Sequence, residues 1–149
     1  MTTRLELTEK IVRIKIEQDL SWSELAALAD GLSKEFVTAG LLGQMTLPKQ
    51  AAEAVGGKLG LDPFEIKLLQ VPPYRGSLPT AVPTDPLVYR FYELVSVYGT
   101  TFKALIHEEF GDGIMSAIDF RMDMQREPNT AGDRVSITMS GKFLPYKSY

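Results

Sequence analysis

Five of the nine prolines fall within residues 71–86, at Pro72, Pro73, Pro79, Pro83 and Pro86. Proline lacks a backbone donor and biases the residue before it away from the helical region, so this stretch is neither helix interior nor central strand. It reads as an extended linker, and it splits a chain of 149 residues into two short halves with different patterning. Val71, Tyr74, Leu78 and Val82 give it enough apolar character to pack against something.

The first half, 1–70, is punctuated as helices. Leu7, Ile11 and Ile14 recur at helical spacing. Ser21-Trp22-Ser23-Glu24 is a capping box, in which hydroxyl and carboxylate satisfy orphan backbone donors reciprocally. It opens a helix carrying Leu25, Leu28 and Ala29 that Asp30-Gly31 ends. Ser33 caps a third helix with Phe36, Val37 and Leu41 that stops near Gly43. Pro48 suits the first turn of a fourth, with Ala51, Ala52, Val55 and Leu59 inward and Gly60 beyond its end. Asp62-Pro63-Phe64-Glu65 starts a fifth.

The second half, 87–149, begins with a stripe of Leu87, Phe91, Leu94 and Tyr98 on a helix expected to end at Gly99. A short helix from about Thr101 to Phe110 turns Phe102, Leu105 and Ile106 inward, and Gly111-Asp112-Gly113 breaks it. Ile114, Ser116, Ile118, Phe120, Met122 and Met124 then alternate with Met115, Ala117, Asp119, Arg121 and Asp123, the period-two pattern of a half-buried strand. After a polar loop at 127–133, Val135, Ile137 and Met139 supply the second arm of a hairpin. The aromatic tail GKFLPYKSY is too apolar to be idle. The architecture is α+β: an all-α bundle at 1–70, a linker at 71–86, and a helix and β-hairpin module at 87–149. A lone hairpin needs a partner face, so the second halves of different subunits are expected to pack together.

Composition narrows the chemistry. With no cysteine and a single histidine, His107, thiolate nucleophiles, zinc-thiolate sites and histidine-rich metal sites are excluded within one chain. A net charge of −3 weighs against a nucleic-acid partner held by bulk positive charge. No run approaches the ~18 apolar residues of a membrane span, and the charged N-terminus lacks the apolar block of a signal peptide, so a cytoplasmic protein without a membrane partner is expected.

Several motifs invite a functional reading. The segment SWSELAALADGLSKEFVTAGLLG resembles a phage-repressor helix-turn-helix. Its second helix, however, offers Lys34 and Thr38 without Arg, Asn or Gln, and residues 1–70 hold 8 basic against 10 acidic side chains. A scaffold role is the better reading. His107, one turn after Lys103, reads as an exposed histidine, and Gly111-Asp112-Gly113 as a tight turn rather than an anion nest. Arg90 and Glu93 stand at i, i+3 as the only charges between Leu87 and Gly99, on a helix apolar nearly all round. Such a helix is buried, so the pair lies in a core or an interface. Ser116 is the only hydroxyl on the apolar face of its strand, and no histidine stands beside it in sequence to make a serine-hydrolase triad.

The block PTDPLVYRFYELVSVYGTTFKALIHEEFGDGIMSAIDF, Pro83 to Phe120, together with the ending GKFLPYK, resembles the cyanase (cyanate hydratase) family. The resemblance implies a lyase that decomposes cyanate to ammonia and carbon dioxide with bicarbonate as co-substrate, through carbamate. It implies a homodecamer, a pentamer of dimers, with active sites between subunits. The family's catalytic residues fall on Arg90 in YRFYE, Glu93, and Ser116 in GIMSAI. No metal or organic cofactor is implied, and the repressor-like bundle becomes a fold relationship without nucleic acid. Because an arginine one turn away keeps a carboxylate ionised, Glu93 is expected to orient Arg90 rather than carry a proton. The alternatives are a DNA-binding regulator with a helix-turn-helix domain and an inactive structural homologue.

Overall fold

Four of the five helices of the first half begin at a capping side chain. In the computed structural model, which describes residues 1–149, α1 (Arg4–Glu17) starts from Thr3, α2 (Trp22–Ala27) from Ser21 and α5 (Pro63–Leu68) from Asp62. All three starts are full capping boxes, closed by Glu6, Glu24 and Glu65. The Ser33 hydroxyl caps α3 (Lys34–Leu41) by accepting the Phe36 N–H at 3.1 Å. Pro48 precedes α4 (Lys49–Leu59) at the cap position, one residue earlier than expected, and Gly60 ends that helix with φ 67°. The apolar stripes meet in one core containing the fully buried Leu7, Ile11, Leu25, Val37, Leu41, Leu47, Val55 and Leu69. Each such side chain contributes about 1.5–3 kcal/mol relative to exposure. These helices belong to a unit spanning Met1–Ser77, and a second unit spans Leu78–Tyr149. The division falls inside the proline-rich stretch, where neither helix nor strand forms until Pro86.

In the second unit, Asp85 accepts the Leu87 and Val88 N–H groups, both at 3.0 Å, and Pro86 occupies the first turn of α6 (Pro86–Phe110). This helix corrects the sequence reading: it is one element of 25 residues, not two elements broken at Gly99. A glycine inside a helix costs about 0.5–1 kcal/mol relative to alanine, which weakens the helix without terminating it. No residue of α6 is buried within the chain, although Leu87, Phe91, Leu94, Val95 and Phe102 are all on it. Its C-terminus is tied to the strands by the Phe110 ring, 5.2 Å from that of Phe143, and by the Tyr146 N–H on the Asp112 carbonyl.

The two strands, β1 (Gly113–Glu127) and β2 (Arg134–Pro145), pair antiparallel as a hairpin. The tail is therefore half strand, extending β2 well past Met139. The register corrects the expected alternation. Met115 pairs with Phe143, but the next pair is Phe120 with Gly141, so β1 holds four residues, 116–119, against the single Lys142. This bulge shifts the register by an odd number and reverses the faces across it. Met115 therefore shares a face with Phe120, Met122 and Met124 through their partners Phe143, Gly141, Met139 and Ile137, while Ile114 lies on the other. Ile118, expected among the inward residues, is 98% exposed. No helix is long and apolar enough to cross a membrane.

Candidate functional site

Arg90 and Glu93 occupy the N-terminal part of α6, and helical spacing puts them on one face. Arg90 Nη1 lies 3.9 Å from Glu93 Oε2, and the guanidinium carbon sits 5.9 Å from the Tyr89 ring centroid, within cation–π range. Tyr92 stands beside Tyr89 with ring centroids 5.9 Å apart. Within the single chain the pair is open to solvent, with Arg90 64% and Glu93 51% exposed. Of the two settings expected for the pair, a core or an interface, the core is not the one found within the chain. An exposed pair of this kind contributes only about 0.2–0.5 kcal/mol to stability.

Ser116 is one of two buried polar or charged residues, at 7% exposure. It begins the bulge of β1, and the bulge decides its chemistry. Its hydroxyl oxygen accepts the backbone N–H groups of Ile118 and Asp119, both at 3.0 Å. A hydroxyl has two acceptor lone pairs and one donor hydrogen. With both acceptor positions engaged by amides, what remains is the proton, and bonds received at the oxygen polarise it. Ser116 is therefore a fixed hydrogen-bond donor, suited to an anion. Nothing in the sequence marks these two amides as partners of Ser116, since the alternating pattern of β1 carries no sign of the bulge. An open depression beside the bulge is lined by Asp119, Arg121, Ser140 and Lys142.

The chain does not bond the three residues to one another. No hydrogen bond or ion pair joins Ser116 to Arg90 or Glu93. His107, expected to be exposed, is partly covered, and both its ring nitrogens are engaged: Nδ1 lies 2.9 Å from the Gly111 carbonyl and Nε2 2.8 Å from Lys103 Nζ. It closes the end of α6. Gly111, at φ 89°, ends that helix with its N–H on the His107 carbonyl, and Gly113 packs against Phe143. No group of three or more His, Asp or Glu side chains gathers to hold a metal. In the repressor-like segment, Lys34 and Thr38 of α3 are half-buried and Val37 and Leu41 face the core.

Comparison with known proteins covers nearly the whole chain. Residues 4–73 match the family described as cyanate hydratase, N-terminal, and residues 80–148 the cyanate lyase C-terminal domain. A cyanate hydratase of Methylibium petroleiphilum is 71% identical over 147 residues, covering 99% of each chain. One from Ralstonia pickettii is 71% identical over 98% of this chain and 99% of its own. Among solved structures, the crystal structure of cyanase from T. urticae superposes with a TM-score of 0.79 at 37% identity, over 93% of this chain and 96% of that one.

Proposed function

The chain belongs to the cyanate lyase family, and on that premise we propose that it decomposes cyanate with bicarbonate at sites completed between subunits. Cyanate carbon accepts a bicarbonate oxygen, one carbon dioxide departs to leave carbamate, and carbamate breaks down to ammonia and a second carbon dioxide. Two protons are taken up overall.

Both reactants are anions, and two unit charges 4 Å apart repel by about 4 kcal/mol at an effective dielectric near 20. Arg90 supplies a permanent positive charge and a planar fork of donors to align oxyanions. Glu93, one turn on, orients that fork. Ser116 donates one hydrogen bond to an anion without adding charge. Holding the two reactants in attack geometry then accounts for much of the acceleration.

The observation that carries the reading is the Ser116 hydroxyl, whose acceptor capacity is filled by the Ile118 and Asp119 amides so that only its proton is free. The interface placement is supported by α6, which presents Arg90 and Glu93 among aromatic and aliphatic side chains with none buried. One arginine offsets one negative charge, so each site draws on Arg90 from at least two subunits. A crystal structure with a bound dianion beside a single Arg90 would remove that element.

The direct test is ammonia release from cyanate by the purified protein in carbon-dioxide-depleted buffer, with and without bicarbonate. Release that requires bicarbonate is expected; none in either buffer defeats the proposal. Gel filtration checks the assembly, since a decamer of 16.6 kDa chains elutes at about 166 kDa.

A further inference from the structure

We infer that Gly141 is a positioning residue for Ser116: it is the one place on β2 where the strand leaves room for the bulge that orients the serine hydroxyl. The inference rests on the reaction proposed above for the role of Ser116, and on geometry alone for the role of Gly141.

The bulge must go somewhere. Four residues of β1 stand against one of β2, and the extra backbone folds over the position paired with Phe120. That position is Gly141. A Cβ built there would run into the Ser116 carbonyl oxygen, would come within 2.7 Å of Met115 Cγ and would lie 3.3 Å from the Ser116 carbonyl carbon. The methionine is flexible and can swing aside, but the carbonyl is main chain and cannot move without carrying residue 116 with it. Any other residue at 141 displaces the Ser116 peptide and so disturbs the geometry in which Ser116 Oγ receives the Ile118 and Asp119 amides. The hydroxyl then regains free acceptor capacity and loses its fixed donor direction. Gly141 touches no reacting atom; it acts through Ser116.

Gly113 provides the comparison. A Cβ there would collide first with the Leu144 carbonyl and the Phe143 ring, crowding the same hairpin at a different pair. The experiment is a double-mutant cycle on cyanate turnover with G141A, G113A and S116A, joined to hydrogen–deuterium exchange read residue by residue on the assembled protein. G141A is expected to lower kcat/KM by at least about tenfold in the wild-type background and by less than about twofold in the S116A background, the signature of residues acting as one unit. The G113A loss is expected to multiply with that of S116A. Exchange in G141A should quicken at Ile118 and Asp119 while the Met122–Met139 region of the ladder keeps its protection.

Independent losses in G141A and S116A, or unchanged exchange at Ile118 and Asp119, overturn the inference, as does a G113A loss that also vanishes in the S116A background. If G141A fails to assemble, M115A/G141A removes the side-chain part of the crowding and leaves only the contact with Ser116. An assembled, weakly active M115A/G141A protein with loosened Ile118 and Asp119 amides supports the role; normal activity, or continued failure to assemble, overturns it. A wild-type chain that releases no ammonia defeats the reaction alone, and the exchange measurement then still decides whether Gly141 holds the bulge.

Discussion

Lys10 Nζ donates to both carboxylate oxygens of Glu65, at 2.7 and 2.8 Å, and joins α1 to α5 across a residue 55 positions away. Glu65 is 4% exposed, and it also accepts the Asp62 N–H to close its own capping box. A buried carboxylate left without its cation bears an uncompensated desolvation cost, so K10M should destabilise the first unit by about 2 kcal/mol. Urea unfolding followed by far-ultraviolet circular dichroism measures this. An unchanged midpoint would mean that water and the Asp62 amide satisfy the carboxylate.

The capping boxes of α1 and α2 carry a pH dependence. The Thr3 backbone N–H, then its side chain, holds the Glu6 carboxyl below its ordinary value of 4.5, and Ser21 does the same to Glu24. A depressed folded pKa gives stability that is complete above the unfolded value and is lost as pH falls through the folded one. Acidification below pH 4.5 should therefore lower Tm, and E6Q/E24Q should make that fall shallower. Thermal melts across the acid range test it. At neutral pH, S21A should cost about 1 kcal/mol through loss of the cap itself.

R90K should lose cyanate turnover by on the order of a hundredfold, since an ammonium keeps the charge but not the planar fork that aligns two oxyanions. The assembly should survive, as checked by gel filtration. Near-normal turnover would refute the anion clamp.

Removing the Ser116 hydroxyl strips two amides of their acceptor as well as deleting a donor. S116A should lower kcat/KM by about a hundredfold and leave the oligomer intact. A collapsed oligomer would instead assign Ser116 to structure.

A carboxylate in the apolar surface of α6 tests what that surface is for. Phe102 is 49% exposed in the single chain, so F102E should leave the first unit folded, disperse the assembly toward 16.6 kDa and abolish turnover. Light scattering with chromatography distinguishes this from a protein that stays assembled, which would place Phe102 outside the contact.

Helix starts were legible because a cap is local chemistry: Ser21 and Glu24, or Asp62 and Glu65, specify a start within four residues. The hairpin was legible from its period. The bulge at 116–119 was not, since β1 alternates regularly and the missing residues belong to β2, where only Gly141 marks the crossing. Gly99 misled for the opposite reason: its lack of a side chain was visible, but one mid-helix glycine costs at most about 1 kcal/mol, too little to end a helix of 25 residues. Arg90, Glu93 and Ser116 stood out through their apolar surroundings and a family resemblance. That the first two are open to solvent in one chain could not be read, because the apolar neighbours of Arg90 and Glu93 say only that something covers them.

A helix of 25 residues, about 37 Å long, with no buried side chain of its own has a temporal consequence. In the proposed assembly, the first half gathers its own apolar core as it leaves the ribosome, whereas the apolar ridge of the second waits for sister chains. In that assembly the waiting time depends on how many copies are nearby, so the resistance of the second unit to proteases is expected to rise with expression level while that of the first is not. Dilution is then expected to reverse the sequence, with cleavage beginning in the proline-rich stretch and in α6 and the helical bundle as the surviving fragment.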